Sequence, residues 1–196
     1  MTKSICALVH KPASSREAFQ RYYEENHAPL AVRFFPFSGY VRNHLVDPGS
    51  FAWDTISEFW AHDISQAAAL MDGPVGETMR TDEARFMDQS RVAPAGAEET
   101  VLSSGEPADS QGRRTVLLVE HEDGERPSLE EYAFSIAAQY PGVRLDRVAS
   151  WAEPAFPAQS VIWIPGWVDV SPPQRFTSRV LKARRVETPM EDLLGA

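Results

Sequence analysis

Phe19-Gln20-Arg21-Tyr22-Tyr23-Glu24-Glu25-Asn26-His27-Ala28-Pro29-Leu30 carries the clearest periodicity in the chain. Phe19, Tyr22, Tyr23, Asn26 and Leu30 recur at three- and four-residue intervals, which places them on one buried face of a helix. His27 follows Tyr23 by four residues, so the two side chains stack on that face or at its edge. Pro29 disfavours helical geometry at Ala28, and the spacing predicts a break or kink just past the histidine. Upstream, residues 4–10 read as a strand with Ile5, Ala7 and Val9 on one side, and Ser14 or Ser15 supplies the N-cap of the helix. Downstream, a second short helix carries Leu30, Arg33 and Phe34, and Gly39 ends it.

The pattern then changes period. Residues 40–47 read as a strand with Tyr40, Arg42, His44 and Val46 on one face, and Asp47-Pro48-Gly49-Ser50 is a turn. Residues 55–61 form another strand, with Ile56, Glu58 and Trp60 alternating against Ser57, Phe59 and Ala61. A helix starts near Asp63, a further helical piece carries Met79, Glu83, Phe86 and Met87, and residues 98–103 read as a fourth strand. The order β-α-β-β-α-β is that of a ferredoxin-like unit, an antiparallel sheet with helices on one face. Its other face is apolar and must be covered, most simply by a second such sheet.

The chain supplies one. Residues 105–113 have linker composition, after which Val116–Val119 read as a strand, Ser128 caps a helix reaching Tyr140, and strands follow at 143–151, 160–167 and 179–186. Ser15 lines up with Ser128, Phe19 with Tyr132 and His27 with Tyr140, which predicts a degenerate internal duplication. Ser171-Pro172-Pro173 stands where most of the second helix of that copy would be. The expected fold class is therefore α+β: two tandem ferredoxin-like units, 1–104 and 114–186, forming a barrel-like pseudo-dimer within one chain. Residues 187–196 are expected to be a loosely docked tail.

Composition narrows the partners. A net charge of −9 argues against a sequence-independent grip on nucleic acid or an anionic membrane. The basic residues Arg179, Lys182, Arg184 and Arg185 are interspersed with apolar ones and read as a solvated face. No stretch approaches the roughly 20 apolar residues of a membrane span, and the apolar run ending at Lys11 is too short for a secretory core. Cys6, the one cysteine, allows no intrachain disulfide, fits a reducing cytoplasm and reads as a buried structural thiol. The expectation is a cytoplasmic protein with a small-molecule partner, either a monomer built as a pseudo-dimer or a homodimer.

The quoted helix segment resembles that of the EthD family, and so does Asp82-Glu83-Ala84-Arg85-Phe86-Met87-Asp88, with Glu58-Phe59-Trp60 on the strand between them. The resemblance covers about residues 1–100. It implies a dimeric α+β barrel fold and a small, often aromatic, substrate. Related barrels act as cofactor-free isomerases, cyclases, decarboxylases, dehydratases and monooxygenases, so the resemblance does not fix a reaction. Tyr140 replaces the histidine in the second half, which implies one active site per chain if His27 is catalytic.

Each candidate has two readings. His27 is either a general acid/base, since imidazole exchanges a proton near neutral pH, or a core histidine bonded to a backbone carbonyl at the helix break. Tyr23 assists it or is a core aromatic. Glu58 orients His27 or acts as an acid, or else pairs with Arg33, Arg42 or Arg85. Arg42 and His44 polarise a substrate oxygen or lie exposed on an edge strand. Asp82 reads as a helix cap. Phe34, Phe37, Tyr40, Trp60 and Phe86 supply aromatic walls for a substrate, or core. No histidine pair stands at metal-binding helix spacing, Gly73-Pro74-Val75-Gly76 lacks the lysine of a phosphate loop, and no G-x-S-x-G elbow occurs, so neither metal nor cofactor is expected. The functional expectation is a cofactor-free lyase, isomerase or dehydratase acting on an aromatic or polyketide-like molecule through His27, with Tyr23 or Glu58 assisting. The alternatives are a cofactor-independent oxygenase or redox accessory, and a non-catalytic binding or scaffold module.

Overall fold

Alternation along each strand divides the sheet's side chains into two sets: one fills the barrel interior, and the other is covered by helices over much of the first half but is solvent-exposed in the strand Thr177–Glu187, where Val180, Lys182 and Arg184 face outward. The computed structural model describes residues 2–195; Met1 and Ala196, the outer ends of the expected first unit and tail, lie outside the described residues. The first half runs β1 (Thr2–Leu8), α1 (Arg16–Tyr22), a wide turn (Tyr23–His27), α2 (Ala28–Ala31), β2 (Phe37–Val46), β3 (Thr55–Ala61), α3 (Ile64–Ala69), α4 (Pro74–Glu83) and β4 (Ala93–Val101). The second runs β5 (Arg113–Glu120), α5 (Arg126–Ala137), β6 (Arg144–Ser150), β7 (Ser160–Pro165) and β8 (Thr177–Glu187).

All eight strands close into one antiparallel barrel in the order β1-β3-β2-β8-β5-β7-β6-β4. Read by halves, the order is β4-β1-β3-β2 and β8-β5-β7-β6, with seams at β2–β8 and β4–β6. Closure leaves no sheet edge. Ile5, Ala7, Ile56, Val116, Trp163 and their neighbours fill the barrel. The helices α1–α4 cover the outer face of the first half through Phe19, Tyr23, Met79 and Phe86. Helix α5 covers the second half through Leu129, Ala133 and Ile136. Residues 166–176, between β7 and β8, form no helix, and Val168, Val170 and Phe176 complete that layer.

Local rules account for the starts of α1 and α3. The Ser15 hydroxyl accepts from Ala18 N–H, and Asp63 accepts from Ser65 and Gln66 N–H. Three local expectations are corrected. The helix does not break after His27: it widens before it, where Ala28 N–H reaches back five residues to the Tyr23 carbonyl. Pro29 lacks an N–H and its ring crowds the Glu25 carbonyl, and the wide turn relieves both problems. Ser128 does not cap α5, which begins at Arg126 with Pro127 in its first turn. Arg42 and His44 are not on an edge, because β2 lies between β3 and β8, and both are buried. At the C-terminal end, Leu193 packs against the first-half helix layer and Gly195 N–H donates to the Phe37 carbonyl at 3.0 Å.

Candidate active site

Between the first-half helices and the outer face of β1–β3 lies a cavity of about 230 Å³. Its walls are apolar: Phe37 and Phe59 from the sheet, and Met71, Met79 and Met87 from the helical side. The polar groups reaching it include His27, Tyr23 and Tyr40.

His27 ends the wide turn, which turns its ring toward α4. Nδ1 lies 2.9 Å from Asp82 Oδ2, and the other Asp82 oxygen accepts from the Tyr22 hydroxyl at 2.7 Å. An acceptor at Nδ1 places the ring proton there and leaves Nε2 with its lone pair. Among the described residues, no side chain or carbonyl is hydrogen-bonded to Nε2. Burial lowers the His27 pKa, and the bond to Asp82 and the charges of Glu83 and Asp82 work against that shift. The ring is packed edge-on against Tyr23, centroids 5.0 Å apart, and tilted against Phe86 at 5.1 Å. A neutral imidazole, oriented by a carboxylate and facing an apolar space, is the arrangement of a general base.

Tyr23 sits beside this imidazole without bonding it. Its hydroxyl is 2.8 Å from Ser57 Oγ and accepts from Tyr40 at 3.0 Å, and burial pushes the phenol pKa of both tyrosines up. Burial likewise pushes the Cys6 thiol, which also lines the cavity, up to about 12.

Other predicted site residues lie elsewhere. Glu58 does not meet His27: it points into the barrel, where its carboxylate takes Lys3 Nζ at 2.8 Å, Asn43 Nδ2 at 2.8 Å and the Arg114 guanidinium. Nor does it pair with Arg33, Arg42 or Arg85. Burial opposes its ionisation, but Arg114 and Lys3 outweigh burial and hold its pKa far below the usual carboxylate range. Trp60 shares that face, with Lys3 Nζ 4.7 Å from its ring. Arg42 and His44 both bind Glu24 of the wide turn, Arg42 Nη2 at 2.7 Å and His44 Nε2 at 2.6 Å. Burial opposes the Glu24 charge, yet these partners bring its pKa down to about 2. Phe34 packs in the helix layer, and Phe86 backs the His27 ring. Phe37 and Tyr40 do line the cavity. The sequence reading missed Asp82 as the partner of His27. It lies inside α4, near its C-terminal end, where no helix start needs a cap. Among the described residues, no cluster of three or more His, Cys, Asp or Glu side chains is placed to hold a metal ion.

Residues 11–90 match the model of the EthD domain, and the match spans both His27 and Asp82. By sequence, no curated protein matches. The fold of the whole chain is similar to that of an anthrone oxidase-like protein, with 11% identity over 95% of this chain and 92% of the other and a TM-score of 0.55. It is also similar to a variant chlorite dismutase from Candidatus Nitrospira defluvii, with 11% identity over 99% of this chain and 93% of the other and a TM-score of 0.52. The mixed fold of an eight-stranded antiparallel barrel with a few outer helices is thus shared with proteins named for small-molecule chemistry. Among the described residues, no helix is long and apolar enough to cross a membrane.

Proposed function

We propose that this chain is a cofactor-free enzyme that moves a proton on a small aromatic or polyketide-like molecule, with His27 as general acid/base and Asp82 as the residue that positions it. One observation carries the reading: Nδ1 of His27 is engaged by Asp82 while the ring lines an apolar cavity. Nε2 takes a proton from a C–H or O–H acidified by a neighbouring carbonyl or ring, and returns it at another atom or to a leaving hydroxyl. That is the shared core of an isomerisation or a dehydration. Phe37 and Tyr40 contact the ring system, Tyr23 holds the wall beside His27, and Phe86 supports the imidazole. Glu58, Trp60, Arg42, His44 and Phe34 have no contact role in this scheme. The chain itself is read as two tandem units, 1–104 and 114–186, joined by a linker at 105–113. That reading is supported by the same strand order in both halves and gives one histidine site per polypeptide.

The anthrone oxidase-like fold neighbour favours a second reading, oxygenation. It shares the first step, because the carbanion or phenolate left by proton removal is the electron donor that dioxygen requires.

The test is deuterium exchange in D₂O on a panel of naphthols, anthrones and cyclic 1,3-diketones, followed by NMR with and without oxygen. The wild type should catalyse exchange on one class, and His27→Ala should slow it on the order of 10²–10⁴-fold. Exchange unchanged in folded His27→Ala overturns the reading. Binding without exchange, equally tight in both proteins, points to a binding module. Oxygen uptake dependent on His27 selects the second reading.

A further inference from the structure

Trp151 stands apart among the cavity's lining residues. It follows β6, in the second half, whereas the other lining side chains come from the first. Its side chain is also 51% exposed, far from the usual fate of an indole. A residue that both lines a cavity and meets solvent stands at the opening. Its position is fixed from below: Trp151 N–H donates to the Pro94 carbonyl at 3.2 Å. Its ring lies over Gly96, where an added Cβ would come within 3.0 Å of indole Nε1. Gly96 pairs with Ser4, itself on the cavity wall, so the indole extends the wall past β1 and β4 toward solvent. Among the described residues, Trp53, Trp163 and Trp167 each donate their indole N–H to a protein oxygen, whereas Trp151 and Trp60 do not, and of those two only Trp151 lines the cavity.

We infer that Trp151 is a substrate-contacting residue that selects flat, oxygen-bearing aromatic ligands, so that the half without the histidine completes the site. This rests on the reading of the cavity as a substrate site. The indole offers a π face for offset stacking and an unengaged N–H for a ligand hydroxyl or carbonyl oxygen. Glycine at position 96 is what lets the ring lie against β4 at the mouth. The deeper part of the cavity, lined by methionines, accepts many apolar shapes, so discrimination for flatness falls to the opening.

The experiment uses two probes with one skeleton, 1-naphthol and its saturated counterpart 1-decalol, titrated calorimetrically into the 196-residue chain. Trp151→Ala should weaken 1-naphthol about tenfold and leave 1-decalol within about twofold, and Trp151→Phe should recover most of the loss. Gly96→Val, which displaces the indole without removing it, should reproduce the same selective loss. The His27 ring resonances are followed in parallel. If 1-naphthol shifts them and Trp151→Ala binds both probes as the wild type does, the inference fails while the proposed site stands. Equal weakening of both probes also overturns it, because bulk at the opening, not a π face, would then be at work. If neither probe binds the wild type, the inference and the proposed substrate class fall together.

Discussion

The chemistry of His27 is set by opposed effects on one ring. Burial disfavours the imidazolium and lowers its pKa, while the bond to Asp82 and the carboxylates of Glu83 and Asp82 favour the proton. The folded-state value lies below the ordinary 6.5, so the ring stays neutral and basic as the pH falls through that point. By the same linkage, its contribution to stability is complete above pH 6.5 and is lost as the pH drops from there through the lower folded-state value. Asp82→Asn separates orientation from basicity. The rate should fall on the order of 10²-fold through lost positioning, and the acid limb of the pH–rate profile should move to lower pH, because a group that raises the histidine pKa has gone. A limb that moves upward, or an unchanged rate, contradicts the positioning role. His27 and its two readings were legible in the sequence; its partner was not. Glu58 was chosen for its alternation with Ile56 and Trp60, but alternation only says which residues share a face. With both faces of β3 buried, it does not say which face meets the helices and which the barrel interior.

Among the elements, the wide turn at Tyr23–His27 does most to place the site. It carries Glu24 onto Arg42 and His44 and His27 onto Asp82. Restoring an N–H with Pro29→Ala removes the reason for the wide turn and lets the segment return to regular helix. The expected outcome is a lower thermal midpoint, because buried Arg42 and His44 lose Glu24, with activity falling on the order of 10²-fold as the imidazole rotates away from Asp82. Full activity in that variant would mean the proline does not hold the turn. Helix starts set by a capping side chain, at Ser15 and Asp63, were readable from the sequence because the rule is local. The first part of β4 was not. Ala93-Pro94-Ala95-Gly96 has little strand propensity, and it is extended because β1 and β6 pair with it on either side. Its residues are small because Ala93 and Ala95 face the crowded barrel and Gly96 lies under an indole.

At the scale of the whole molecule, the barrel encloses a charged lock between its halves. Lys3 binds Glu58 and Glu99 from the first half and Asp146 from the second, and Arg114 of the second half reaches back to Glu58 and Asn43. Ions so deeply buried are tolerated only when paired, and removing one partner strands the others. Glu58→Gln should therefore cost roughly 3–5 kcal/mol of unfolding free energy in denaturant titration while leaving the pH–rate profile set by His27 unchanged in the protein that remains folded. A changed acid limb would return Glu58 to the chemistry. The β-α-β-β-α-β order of the first half was legible in the sequence, since its periods switch between two and 3.6 residues along the chain. The lock was not, because it joins residues more than 50 positions apart, such as Glu58 and Arg114. The proposed function rests on one imidazole. Its pH titration by NMR, with and without 1-naphthol, tests it most directly. The proposed function requires a His27 pKa below the ordinary value, an Nδ1–H tautomer, and a shift of the Nε2 environment on ligand binding. A ring protonated at neutral pH, or one that ignores every ligand the protein binds, would contradict it.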